Sequence, residues 1–133
     1  MCSTFVGLRI LVVDDDEDSR RLLENALDFE GAVVATAASV QEALEKIHQE
    51  PPQVIISDIK MPVQDGYTLI HELQSCAVNE DMIPVIAVTA YVGLEDRAKV
   101  LSAGFQAYLT KPLDLDQLYI AIGRLRLQFY QQS

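Results

Sequence analysis

The fold of this chain is decided by the stretch Val54-Ile55-Ile56-Ser57-Asp58-Ile59-Lys60-Met61-Pro62-Val63-Gln64-Asp65-Gly66. It begins as an aliphatic run, which suits a strand buried on both faces of a parallel sheet, and it ends in turn-forming residues. Asp58 therefore lies where a buried strand gives way to a loop. In open α/β sheets the ligand crevice lies outside the carboxyl ends of the strands. Asp58 is thus a candidate nucleophile, with a turn or helix-cap role as the alternative.

The other segments alternate between strand and helix patterns. Aliphatic runs of strand length predict further strands at Leu8–Val13, Ala32–Ala37, Ile83–Val88 and Ala107–Thr110. Apolar residues at helical spacing predict a helix after each strand. Those expected to face inward are Leu22, Leu23, Ala26 and Leu27; Val40, Ala43, Leu44 and Ile47; Tyr67, Leu69, Ile70 and Leu73; Leu94, Ala98 and Leu101; and Leu118, Ile122, Leu125 and Phe129. Ser39-Val40-Gln41-Glu42 is a capping box that predicts the start of the second helix, and Ala103-Gly104 predicts the end of the fourth. The fourth helix has the weakest apolar face, which favours mobility there.

Five strands alternating with five helices predict a parallel sheet covered on both faces. The expected fold class is α/β: a flavodoxin-like, doubly wound, five-stranded parallel sheet with strand order 2-1-3-4-5. At 133 residues the chain fits one domain, 1–133, with a core from about 8 to 127. No output domain follows the last helix, so we expect either a free-standing protein or a unit cut from a larger one.

Composition narrows the function classes. The formal net charge is -10, which argues against binding nucleic acid, because phosphate contacts require clustered lysines and arginines. No apolar run approaches the ~20 residues that span a bilayer, and no signal-peptide pattern opens the chain. Cys2 and Cys76 form no metal-binding or redox motif and are read as reduced thiols. The chain is therefore predicted to be soluble and cytoplasmic.

Three acidic residues are predicted to converge. The strand order brings the end of the first strand, with Asp14 and Asp15, beside the end of the third strand, with Asp58. Three ionised carboxylates in one crevice repel one another and require a cation. An all-oxygen ligand set with room for waters suits Mg²⁺ better than Ca²⁺. For Asp14 and Asp15 the alternative is capping of the first helix.

Thr89 and Lys111 end the other two neighbouring strands and supply a hydroxyl and an ammonium to the same edge. Phosphoryl transfer requires in-line positioning and charge neutralisation, which a metal ion and a lysine provide. Asp58 could then attack phosphorus and become an aspartyl phosphate. Taken singly, Thr89 could be an ordinary strand residue and Lys111 a solvated charge. Together with the acids at the other two strand ends, they make functional groups coincide at four strand ends, which favours the site.

The chain resembles the receiver domains of two-component response regulators. The resemblance runs from Leu8 to about Leu127 and rests on four motifs in the right order, Ile10-Leu11-Val12-Val13-Asp14-Asp15, Ile56–Gly66, Val88-Thr89-Ala90 and Lys111-Pro112. It implies that a histidine kinase or histidine phosphotransfer protein phosphorylates Asp58. It also implies that the domain catalyses its own phosphorylation and dephosphorylation.

Further roles follow from the same resemblance. Mg²⁺ would be held by Asp15 and Asp58, by the backbone carbonyl of Lys60, and through water by Asp14. Thr89 and Lys111 would contact the phosphoryl oxygens, and Tyr108 would turn inward when Thr89 moves. The face made by the fourth helix, fifth strand and fifth helix would then be remodelled for a partner or for self-association.

Three other functions fit these residues less well. A flavin mononucleotide carrier shares the strand order, but an acidic first loop repels a phosphate when no metal is present. An aspartate-nucleophile phosphohydrolase would need an acid at position 60, where this chain has lysine. A non-phosphorylated scaffold for protein–protein interaction would not need the complete set of acids, Thr89 and Lys111. His48 and His71 are isolated and are interpreted as solvent-exposed helix residues.

Overall fold

The computed structural model describes residues 5–59, 66–75, 83–89, 94–111 and 113–130. Five strands alternate with five helices within these ranges. The strands are β1 (Arg9–Val13), β2 (Val33–Ala37), β3 (Val54–Asp58), β4 (Val85–Thr89) and β5 (Ala107–Thr110). The helices are α1 (Glu17–Phe29), α2 (Val40–Gln49), α3 (Gly66–Ser75), α4 (Leu94–Ala103) and α5 (Leu115–Tyr130).

The strands form one parallel sheet in the order β2-β1-β3-β4-β5, as predicted. In register, Val13 of β1 pairs with Ser57 of β3, and Asp58 pairs with Val88 of β4. The chain leaves β1 and β3 at the same edge, so Asp14 and Asp58 both lie at the carboxyl ends of adjacent central strands. This is the topological switch point at which such sheets bind ligands.

Two apolar layers cover the sheet. On one side, α2, α3 and α4 pack over a cluster that includes Leu11, Ile55 and Ala87. On the other side, α1 and α5 pack over a cluster that includes Val12 and Ile56. Alternate residues of each central strand thus point into opposite layers, and every residue of β3 and β4 is buried. The aliphatic run of β3 therefore has the burial that its composition predicted.

The predicted inward face of α1 is partly wrong. Leu23 and Leu27 are buried, but Leu22 is 57% exposed. Leu22 lies ~100° around the helix from Leu23, outside the arc that meets the sheet. Consecutive leucines leave the rotational phase of a helix ambiguous in sequence, and only packing against the sheet resolves it.

The predicted inward face of α4 also needs correction. Ala98 and Leu101 are exposed, and among the side chains described in this helix, residues 98–103, the buried one is Val100, with Ala103 packed against the same cluster. Gly104 follows with a positive φ of 119°, so the predicted stop is confirmed. The predicted inward residues of α5 that can be compared, Leu118, Ile122 and Leu125, are all buried. The side chains of Tyr67, Leu73, Leu94 and Phe129 lie outside the described part of the chain.

Side-chain caps begin the first two helices. The Asp16 carboxylate accepts hydrogen bonds from the Ser19 N–H at 3.1 Å and the Ser19 hydroxyl at 2.7 Å. Ser39 caps α2 by accepting from the Glu42 N–H at 3.1 Å, which confirms the predicted capping signal. Because Asp16 caps α1, the interpretation of Asp14 and Asp15 as its caps is wrong, and both remain available to the crevice. None of the helices in the described part of the chain combines the length and the hydrophobicity of a membrane-spanning segment.

Candidate functional site

The candidate site lies at the carboxyl edge of β1 and β3. Asp58 is the last residue of β3 and only 7% exposed, and Asp14 directly follows β1 and is 3% exposed. The Asp14 N–H donates to the Ala37 carbonyl at 3.1 Å, which extends the β1–β2 pairing by one residue. Two acidic side chains are thus largely withdrawn from water at the point where the strands end, and ionised carboxylates there need compensating charge.

Asp15 joins these two acids from the exposed loop. One carboxylate oxygen from each of Asp14, Asp15 and Asp58 lies within 4.8 Å of the others. The predicted convergence of the three acids is therefore confirmed. Oxygen donors at this spacing can share one divalent cation, and three carboxylates with solvent on one side match the preference of Mg²⁺ for a few protein ligands completed by water or substrate. The donor set thus fits the predicted metal.

Lys111 supplies positive charge to the same place. Its Nζ lies 3.1 Å from Asp58 Oδ2 and 3.4 Å from Asp14 Oδ2. Lys111 directly follows β5, and its N–H donates to the Thr89 carbonyl at 2.8 Å, which fixes its main chain to the end of β4. The ammonium therefore bridges the two most buried acids. A divalent cation bound by the same oxygens would compete with it for them.

Burial raises the pKa of Asp14, and the nearby Asp58 charge adds to the increase. The Asp16 N–H, which donates to Asp14 Oδ1 at 2.9 Å, and the Lys111 ammonium oppose this effect without cancelling it. Burial alone would lower the pKa of Lys111, but attraction to Asp14 and Asp58 outweighs it, so the pKa of Lys111 is raised. The lysine therefore stays charged while Asp14 is held in an environment that disfavours its anion, which a further cation would stabilise.

Thr89 and Tyr108 occupy the neighbouring strands. Thr89 is the last residue of β4 and 2% exposed. Alternation along β4 places it on the face that carries Ala87, whereas Asp58 shares the opposite face with Ile56. Tyr108 is paired with Ala87 and packs, half-buried, against the same layer as Ala87. Thr89 and Tyr108 thus share one face of the sheet.

A cavity of about 230 Å³ opens beside the acids on the side of α1. It is lined by the charged side chains of Asp14, Asp58 and Lys111 and by apolar side chains that include the exposed Leu22. The site is therefore a cleft that combines apolar lining with a few charged groups, as ligand-binding crevices commonly do.

One contact of the site was not predicted from the sequence. Arg20 of α1 donates from Nη1 to the backbone carbonyl of Asp14 at 2.8 Å. No residue pattern indicates such a bond, because its acceptor is a main-chain atom six positions earlier. Lys60, whose carbonyl was predicted to bind the metal, lies outside the described residues.

Comparisons with known proteins agree with this geometry. The family profile described as "Response regulator receiver domain" matches residues 10–123. The chain is 42% identical over 126 residues to an uncharacterized 14.6 kDa protein from the sodA1 3′ region of Leptolyngbya boryana, and the match covers 95% of each. It is 39% identical over 117 residues to the transcriptional regulatory protein PrrA of Mycobacterium tuberculosis, covering 88% of this chain but 49% of that protein. The chain thus spans about half the length of that relative.

Solved structures show the same fold. The receiver domain of the Francisella response regulator 1452 matches with a TM-score of 0.84 at 30% identity, covering 92% of this chain and 98% of that one. The chemotaxis protein CheY4 of Vibrio cholerae matches with a TM-score of 0.83 at 28% identity, covering 90% of this chain and 99% of that one. The structural similarity therefore covers about nine-tenths of this chain and nearly all of each of the two solved structures.

Proposed function

The chain belongs to the response regulator receiver domain family, and from that premise we propose that Asp58 is the residue that accepts the phosphoryl group. Receiver domains of two-component systems are phosphoacceptors that change conformation when phosphorylated. The observation that carries the assignment is the position of Asp58, nearly buried at a strand end, 3.1 Å from the Lys111 ammonium and within reach of two further acids.

The chemistry follows from this arrangement. A carboxylate oxygen of Asp58 attacks phosphorus, the bond from phosphorus to the donor's leaving group breaks, and the leaving group departs with the electron pair. The product is a mixed anhydride, 4-aspartylphosphate. Lys111 neutralises charge on the phosphoryl oxygens, and Thr89 is proposed to donate its hydroxyl to them.

Asp14, Asp15 and Asp58 would hold Mg²⁺, which would supply Lewis-acid stabilisation of the transferring phosphoryl group. The Lys60 carbonyl is proposed as a fourth protein ligand. Asp14 is proposed, as the family resemblance implies, to act on the metal through a bound water as well as by its charge. Movement of Thr89 would change the space available to Tyr108 on the shared face of the sheet. The change of conformation would in this way be transmitted from the phosphorylation site to the surface around Tyr108.

The phosphodonor is proposed to be a histidine kinase or a histidine phosphotransfer protein in the cytoplasm. The output face is proposed to be α4, β5 and α5, where Leu101 and Ile120 are exposed apolar residues on two of the three elements. Self-association through this face would be visible as a larger sedimenting species after phosphorylation. An unchanged sedimentation profile would rule it out under those conditions.

The assignment is tested by incubating the protein with acetyl phosphate and Mg²⁺ and measuring the intact mass. The wild type should gain one phosphoryl group, and Asp58→Asn should gain none. Asp28→Asn, which removes an exposed carboxylate of α1, is the matched control and should be labelled like the wild type. A scaffold that is not phosphorylated would leave all three proteins unlabelled, and equal labelling of Asp58→Asn would show that the acceptor is elsewhere.

A further inference from the structure

Arg20 reaches out of α1 to the main chain of the acidic loop. It is the fourth residue of the helix, and its Nη1 donates to the Asp14 carbonyl at 2.8 Å. Helical side chains lean toward the N-terminus of the helix, so an arginine one turn inside α1 is well placed to reach the residues that precede it. The contact joins the peptide group between Asp14 and Asp15 to the helix that follows.

Asp14 is held at four points. Its N–H donates to Ala37, its carbonyl accepts from Arg20, its Oδ1 accepts from the Asp16 N–H, and its Oδ2 lies 3.4 Å from Lys111 Nζ. The Arg20 bond acts on the carbonyl of the peptide that links Asp14 to Asp15. The orientation of that peptide sets where the two neighbouring carboxylates can point.

Electrostatics alone would disfavour an arginine at this position. A guanidinium near three acids reduces their attraction for a divalent cation, and a positive charge near a helix N-terminus opposes the helix dipole. The adjacent Arg21 differs, because its side chain is 67% exposed and pairs with Glu17 one turn earlier at 3.6 Å. A favourable effect of Arg20 on the metal site would therefore come from geometry.

We propose that Arg20 is a positioning residue: its bond to the Asp14 carbonyl orients the Asp14–Asp15 peptide so that both carboxylates meet that of Asp58 around Mg²⁺. The inference rests on the proposed function, in which these acids bind Mg²⁺. It makes the affinity for Mg²⁺ depend on Arg20 as well, although Arg20 is not one of the acidic ligands.

Calorimetric titration with Mg²⁺ separates geometry from charge. Arg20→Leu and Arg21→Leu each remove one positive charge. The Arg20 guanidinium contacts the acidic loop, whereas that of Arg21 is exposed and pairs with Glu17, so loss of charge alone would make Arg20→Leu bind Mg²⁺ at least as tightly as Arg21→Leu. We expect Arg20→Leu to bind Mg²⁺ about five- to tenfold more weakly than Arg21→Leu, as loss of a charge-assisted hydrogen bond implies. Arg20→Lys keeps the charge and one donor, so it should recover part of the affinity.

Hydrogen exchange provides a second measurement that needs no metal. The Asp16 N–H donates to Asp14 Oδ1, so its exchange reports whether Asp14 is held in place. Without Mg²⁺, this amide should exchange faster in Arg20→Leu than in Arg21→Leu. If Arg20→Leu does not fold, Arg20→Lys and Arg21→Lys form the same comparison with no change of charge, and the former should bind Mg²⁺ about two- to fivefold more weakly.

The outcomes distinguish this inference from the proposed function. Equal Mg²⁺ affinity and equal exchange of the Asp16 amide in the Arg20 and Arg21 variants would show that the positioning role of Arg20 is wrong. That result would not affect the proposed metal site. Failure of the wild type to bind Mg²⁺ would overturn both. Weaker binding by the Arg20 variant together with faster Asp16 exchange would support the positioning role.

Discussion

At the scale of single residues, the site consists of three acids that differ in burial and one lysine that contacts two of them. Asp14 and Asp58 are nearly buried, while Asp15 is exposed, and Lys111 bridges the two buried carboxylates. A buried carboxylate without a partner is costly, so the ammonium stabilises the unphosphorylated protein. The same oxygens are the proposed metal ligands. Lys111 would therefore act both as a stabilising partner of these carboxylates and as a competitor of the proposed Mg²⁺.

This double role predicts the behaviour of Lys111→Met. In the presence of a chelator, the free energy of unfolding should fall by about 1–3 kcal/mol, because two close carboxylates lose their counter-charge. Mg²⁺ should recover most of the loss and should bind more tightly than to the wild type. Urea denaturation with and without Mg²⁺ measures both effects.

Arg124→Met is the control for Lys111→Met, because it removes one positive charge from an exposed position of α5. It should change the free energy of unfolding by less than about 0.5 kcal/mol. Weaker Mg²⁺ binding by Lys111→Met would contradict the competition.

The raised pKa of Asp14 predicts how Mg²⁺ binding depends on pH. Asp14 must be ionised to attract the metal, and burial raises its pKa above the ordinary value of 3.8. As the pH falls through this raised pKa, protons should displace Mg²⁺, and the apparent dissociation constant should rise by up to about tenfold per pH unit. The loss should therefore begin at a higher pH than an ordinary aspartate would give. Titration calorimetry across acidic pH measures it.

The raised pKa of Asp14 also makes the free energy of unfolding depend on pH in a defined direction. The folded state holds the Asp14 proton more tightly than the unfolded state, so Asp14 favours folding at low pH, and this contribution is lost as the pH rises through its raised pKa. Asp14→Asn should remove both this dependence and its part of the Mg²⁺ dependence. An unchanged pH profile in Asp14→Asn would assign the titration to another group.

Among the secondary-structure elements, the start of α2 could be predicted from the sequence, whereas the inward faces of α1 and α4 could be predicted only in part. The capping signal at Ser39 and Glu42 was identified in sequence because it depends on local spacing. The Glu42 carboxylate accepts a hydrogen bond from the Ala38 N–H at 2.9 Å. This hydrogen bond is the main reason that the pKa of Glu42 is lowered. The inward faces of α1 and α4 were partly mispredicted, because Leu22 and Leu101 are apolar yet point away from the sheet. Which side chains of a helix face the core depends on packing against strands that are distant in sequence. Local residue spacing does not encode that packing.

The cap on α2 gives a prediction at this scale. Ser39→Ala leaves the Glu42 N–H without its side-chain acceptor, so the free energy of unfolding should fall by about 1 kcal/mol. Ser102→Ala, at an exposed position within α4, is the control and should change it by less than about 0.5 kcal/mol. Chemical denaturation monitored by circular dichroism measures both. An equal effect of the two substitutions would show that the cap contributes nothing specific.

At the scale of the whole molecule, sheet topology brings the site together. The alternating pattern predicted the order β2-β1-β3-β4-β5, and that order places Asp14 and Asp58 on adjacent strand ends although 44 positions separate them in sequence. The convergence of the acids could therefore be predicted from pattern and topology. The Arg20 contact could not, because a bond to a main-chain carbonyl leaves no signature in residue types. The roles of Thr89 and Tyr108 remain predictions from family resemblance, supported by their shared face of the sheet.

Asp58 is proposed to carry the phosphoryl group, and chemical identification of the modified residue distinguishes it from every other carboxylate of the chain. After phosphorylation with acetyl phosphate and Mg²⁺, borohydride reduces an aspartyl phosphate to homoserine, which peptide mass spectrometry can place in the sequence. We predict homoserine at position 58, and none when Mg²⁺ is replaced by a chelator. Homoserine at position 14 or 15, or a phosphorylated protein with no reducible acyl phosphate, would contradict the account.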